Sequence, residues 1–159
     1  GAHLLPDSAL LQTSYGPVLV THGDQYCTDD TAYQRFRTVV RNPLVQKMFL
    51  SRSIPTRMAI ADKARGKSMA ANRGKPEEIM DVNPRAIEQA FRDSGVRLMV
   101  HGHTHRPARH VLGVDGRRCE RWVLPDWDCD HATPPRGGWL AIDRDGPQFY
   151  DLETAPSPR

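Results

Sequence analysis

Two short apolar runs rich in β-branched residues constrain the fold of this chain more than any other feature. One is Pro17–Thr21 (PVLVT) and the other is Val96–Val100 (VRLMV). Each is too short for a helix of ordinary length and has the composition of a buried strand. Helical signals lie between them. Thr28, Asp29 and Asp30 are N-cap candidates, and Tyr33, Phe36 and Val40 then recur at helical spacing. That predicts a helix from about Asp30 to Arg41, broken by Asn42-Pro43. An apolar cluster follows (Leu44, Val45, Met48, Phe49, Leu50), with Ile54-Pro55 expected to end it. A further helical stretch is predicted from about Thr56 to Ala71. Asn83-Pro84 reads as a helix start, with a stripe of Ile87, Ala90 and Phe91 and a stop at Gly95. Strands alternating with helices predict the α/β class.

Beyond Pro107 the pattern changes. Arg109–Val114 and Arg117–Leu124 flank Asp115-Gly116, a hairpin signal. Trp139–Ile142 and Gln148–Leu152 flank Asp145-Gly146-Pro147, a second one. The expectation is strand, helix and strand followed by an antiparallel meander. With 38% hydrophobic and 26% charged residues, the composition is that of a water-soluble globular chain. Three cysteines without CxxC spacing argue against a disulfide framework. The chain opens at Gly1 almost directly on its first clear strand, so a longer protein is expected around it.

Both strands deliver histidine at their C-terminal ends, where α/β sheets bind ligands. The first leads into His22-Gly23-Asp24 and the second into His101-Gly102-His103-Thr104-His105-Arg106-Pro107. Core packing does not explain three imidazoles in five residues; metal ligation does. In an extended turn, residues two apart point in opposite directions. His103 and His105 are therefore expected to serve different ions of a two-metal centre rather than chelate one. Hard oxygen ligands would suit such a centre to Mn or Mg, and bridging carboxylates are not evident in the chain. Asp24 has two readings, as the group that orients His22 or as a turn stabiliser. His101 reads as structural.

Net charge is only +3, but between Lys47 and Lys75 eight basic residues accompany a single acid, Asp62. This is either a solvated helical face or a surface for phosphate or an anionic membrane.

The ordered set of motifs carries a resemblance. His22-Gly23-Asp24, Cys27-Thr28-Asp29-Asp30, Tyr33-Gln34, Phe36-Arg37, Ile79-Met80-Asp81-Val82-Asn83 and HGHTHRPA resemble the calcineurin-like metallophosphoesterases. Within them the match is to the UDP-2,3-diacylglucosamine pyrophosphatases of lipid A biosynthesis. It runs from about Val18 to Trp127 and more weakly to Leu152. Pro125 departs from the glycine usual in that family.

The resemblance implies part of an α/β/β/α sandwich with a helical lid inserted at about 31–78. None of the family's D-x-H, G-D and G-N-x-D motifs lies upstream of His22, so residues 1–159 resemble the C-terminal portion of such a domain. The implied reaction is hydrolysis of UDP-2,3-diacylglucosamine to UMP and 2,3-diacylglucosamine 1-phosphate, with two Mn2+ ions. His22 and His103 resemble ligands of one ion and His105 a ligand of the other. Asp30, Ser68, Asn72, Lys75 and His103 match substrate-contacting positions. Ser68, Asn72 and Lys75 fall on one helical face by their spacing. The implied partners are the lipid substrate and an anionic membrane surface, at the cytoplasmic face of the bacterial inner membrane, with no nucleic acid. Because half the ligands are missing, the chain by itself is expected to turn over poorly. A two-metal phosphodiesterase of other specificity and a noncatalytic metal-binding fragment are the alternative readings.

Overall fold

The computed structural model describes residues 2–73 and 76–152. The chain divides into two compact units. One takes residues up to Tyr26 and from Pro84 onward; the other is Cys27–Asn83.

The first unit is built on a five-stranded sheet of order β1-β2-β3-β5-β4. Its strands are β1 (Ser8–Thr13), β2 (Gly16–Thr21), β3 (Leu98–His101), β4 (Ala108–Val114) and β5 (Arg117–Val123). The two runs that suggested strands, β2 and β3, pair in parallel at its centre, with Val18 opposite Leu98 and Thr21 opposite His101. Their ends are therefore level, and both histidine turns leave the same edge. A helix, α1 (Pro84–Ser94), lies between them in sequence. It ends where Gly95, at φ +70°, accepts the left-handed conformation that closes a helix, its N–H bonding Phe91 O at 3.0 Å.

Strand periodicity sorts the side chains between two layers. Val18, Leu98, Val100 and Trp122 face the hairpin of β6 (Gly138–Asp143) and β7 (Gly146–Asp151), where Leu140, Ile142 and Phe149 pack against them. On the opposite face lie Leu19 and Met99, and Leu19 shares a cavity wall with Ala86 and Ala90 of α1. Phe91 and Met99 are completely buried. Each contributes about 1.5–3 kcal/mol by leaving water, and Phe91→Ala would cost about 3–5 kcal/mol.

Two expectations change. β1 was not anticipated; SALLQT carries no strict alternation, and Leu10 and Leu11 are exposed on this edge strand. The β4–β5 hairpin does turn at Asp115-Gly116, both at positive φ, but it is not a separate meander. β5 also pairs in parallel with β3 and so continues the main sheet.

The second unit holds three helices, α2 (Thr31–Val40), α3 (Pro43–Leu50) and α4 (Ile54–Asn72). Asp30 caps the first through Tyr33 N–H at 3.0 Å. Asn42 caps the second through Leu44 N–H at 2.9 Å. Ile54-Pro55, expected as a stop, begins the third, because proline fits the first turn of a helix, where its missing N–H has no role. Asn83 Nδ2 donates to both carboxylate oxygens of Asp29 at 3.0 Å, joining the two ends of the unit. Neither α2 nor α3 has a buried residue, and Leu44, Met48, Leu50 and Ile54 are all more than 60% exposed. The apolar cluster of the sequence is thus a surface, not a core. Among the described residues, no helix is long and apolar enough to cross a membrane.

Candidate metal centre

The level ends of β2 and β3 bring their histidines together. The His22 and His103 rings lie 5.0 Å apart between centroids, inclined at 60°. Beneath His22 sits Asp24, which is buried, with Oδ1 3.2 Å from His22 Nδ1. A carboxylate at Nδ1 holds the proton there and leaves Nε2 as the ligating atom. The backbone stitches the turns together, Gly102 N–H donating to His22 O at 3.1 Å.

His101 is entirely buried and shares its face of the sheet with Arg121. Arg121 Nη1 lies 2.9 Å from His101 Nε2, and His101 Nδ1 lies 2.9 Å from Gly102 O. A guanidinium can only donate, so Nε2 accepts and Nδ1 carries the proton. Gly23 presses against the same ring: a Cβ there would come within 2.7 Å of Nδ1. His101 thus fixes the two histidine-bearing turns relative to each other.

The turn carrying His103 and His105 is not extended, as the sequence reading assumed. Both residues take positive φ, 68° and 53°. They still diverge: His103 faces His22, while His105 Nδ1 lies 3.9 Å from Asp126 Oδ2. Between them Thr104 Oγ1 is buried with no hydrogen-bond partner.

These groups fit a divalent cation in kind but not in number. Imidazoles suit Zn, and the orphaned buried hydroxyl is the kind of hard oxygen donor that Mn takes. Yet among the described residues no three His, Cys, Asp or Glu side chains converge to hold an ion. These groups would supply at most part of a coordination sphere.

No protein-family model matches the chain. Curated proteins do. It is 68% identical over 152 residues to a UDP-2,3-diacylglucosamine hydrolase of Bordetella pertussis, covering 96% of this chain and 59% of the relative. The chain is homologous to part of the UDP-2,3-diacylglucosamine hydrolases. The hydrolase of Aromatoleum aromaticum is 48% identical over 80% of this chain and 52% of its own length. That of Pseudomonas aeruginosa is 44% identical over 92% and 58%. The chain therefore spans about three fifths of the relatives it matches, at 59% or less.

Of the residues that family resemblance marked for substrate, Asp30, Ser68 and Asn72 lie in the helical unit and His103 in the sheet-bearing one. Asp30 is buried and already caps α2. Ser68 lines a cavity of about 400 Å3 with Ala32, Tyr33, Phe36, Ala64 and Lys67. Asn72 ends α4. Lys75 lies outside the described residues. Sequence reasoning gave no role to Arg121, Gly23 or Asp126. Arg121 had a visible signal: it stands between Cys119 and Val123 at the core-facing positions of β5.

Proposed function

We propose that this chain is the metal- and lipid-binding part of a hydrolase that cleaves the pyrophosphate bond of UDP-2,3-diacylglucosamine. The products would be UMP and 2,3-diacylglucosamine 1-phosphate, a step of lipid A synthesis. The observation that carries the reading is the His22–His103 pair, set on adjacent strand ends over Asp24, in a chain 68% identical to such a hydrolase. Within it, His22 and His103 would hold one Mn2+ and His105 the other. When bound, the pair of ions neutralises charge on the reacting phosphate. The protein's own task is positioning. Asp24 aligns His22, and the buried His101–Arg121 pair holds both turns. Asp30, Ser68, Asn72 and Lys75, with His103, would orient the sugar and diphosphate.

The helical unit supports a lipid substrate taken from an anionic membrane surface at the cytoplasmic face of the inner membrane. It exposes Leu44, Met48, Leu50 and Ile54, with Lys47, Arg52 and Arg57 beside them in sequence. Its cavity is walled by Phe36, Tyr33 and alanines and edged by Ser68 and Lys67, suited to an acyl chain below a polar head.

The test is a chimera in which this chain replaces the matching part of the Bordetella relative. UMP release with Mn2+ is expected, and it should vanish in His103→Ala. This chain without the rest should release little UMP, because the described residues do not complete a metal site. A chimera that folds but cleaves only generic phosphodiesters would favour a different phosphodiesterase.

A further inference from the structure

Beside His105, within the sheet-bearing unit, lies a cleft of about 610 Å3. Pro107, Pro125, Phe149 and Tyr150 supply flat apolar walls, and Arg109 and Arg136 stand at its polar side. Both guanidiniums are matched to carboxylates. Arg109 Nη2 meets Glu120 at 2.6 Å; Arg136 Nη2 meets Asp126 at 2.8 Å and Asp128 at 3.7 Å. The wall therefore offers hydrogen-bond donors and acceptors with little net charge.

That balance selects among occupants. A second phosphate would find no uncompensated cation. An acyl chain would strip water from ion pairs that are more than half exposed on their arginine side at Arg136, a cost its burial does not repay. An uncharged planar group that both stacks and hydrogen-bonds fits ring and proline faces edged by amide-like donors. We propose that this cleft seats the nucleoside of a nucleotide substrate whose phosphate is anchored at the His103–His105 turn. The inference rests on the hydrolase reading and adds where the leaving nucleotide lies: on the β6–β7 hairpin side, at Asp126 and Arg136.

The test uses isotope-labelled full chain titrated with uridine, uridine 5′-monophosphate and inorganic phosphate, each followed by backbone amide shifts. Uridine should shift Ala108, Asp126, Gly138 and Tyr150, and the monophosphate should add shifts at His103 and His105. Ala108→Phe, which narrows the cleft, should weaken uridine binding about tenfold or more while leaving phosphate shifts in place. Arg136→Gln is the second variant, and decides should Ala108→Phe fail to fold. Monophosphate shifts confined to the histidine turns, with uridine silent, would overturn the cleft assignment and leave the hydrolase reading standing. Silence of all three ligands would also overturn the cleft assignment, and UMP release by the chimera decides the hydrolase reading separately.

Discussion

Gly23 lies against the ring of His101 so closely that a Cβ would stand 2.7 Å from Nδ1, at a backbone φ of +105°. Steric overlap and backbone strain act together here, since a side chain at this φ is itself unfavourable. Gly23→Ala should lose about 2–4 kcal/mol, read from urea unfolding. A variant as stable as the parent would show that the two turns are free to separate.

The His101–Arg121 pair makes a second prediction. His101→Ala removes a buried acceptor of the Arg121 guanidinium and should cost about 2–4 kcal/mol. A double-mutant cycle with Arg121→Met should return a coupling of about 1–3 kcal/mol. A coupling near zero would mean that the contact is incidental.

Asp24 is predicted to act through His22. Asp24→Asn should weaken Mn2+ or Co2+ binding about 10–100-fold in the chimera, by releasing the proton that keeps Nε2 free. The cobalt spectrum should change with it. Unchanged metal affinity would reduce Asp24 to a turn residue.

Acid stability should depend on Glu120. Its hydrogen bond from Arg109 holds the carboxyl below the ordinary range, against the opposing effect of burial; a Trp122 bond adds to the lowering. A depressed folded pKa stabilises above the unfolded value, about 4.3, and that stability is lost as pH falls through the folded pKa. The stability gap between the parent and Glu120→Gln should therefore shrink below about pH 4.3 in acid titrations. A gap that persists at low pH would mean packing, not charge, sets it.

The thiols should separate by burial. Cys27 and Cys119 are buried and Cys129 is exposed. Burial also pushes the Cys119 thiol upward, against its neighbouring arginines, so little thiolate forms. Iodoacetamide should label one cysteine quickly in the folded chain and all three in urea. Fast labelling of two would contradict the core described here.

Much of this was legible in the residues. β2 and β3 announced themselves because a fully buried parallel strand must be apolar along its whole length. Asn83-Pro84 and Gly95 marked a helix because its ends need a cap and a left-handed stop. The histidine turns stood out because nothing in a core requires them. β1 was hidden, since an edge strand with exposed leucines needs no alternation.

Tertiary structure decided the rest. Local pattern could say that two strands end in histidine, but not that their ends are level; the parallel register of Thr21 on His101 determines that. It read His101 as structural but could not name its partner, because Arg121 is twenty residues away and meets it only across paired strands. Nor could it place Asp126 beside His105, since a loop's position follows from the sheet that carries it. The sequence by itself determined which elements form and which side chains carry chemistry, because both are written in short-range periodicity and residue type. Which of those side chains meet depended on strand register, a property of the folded chain as a whole.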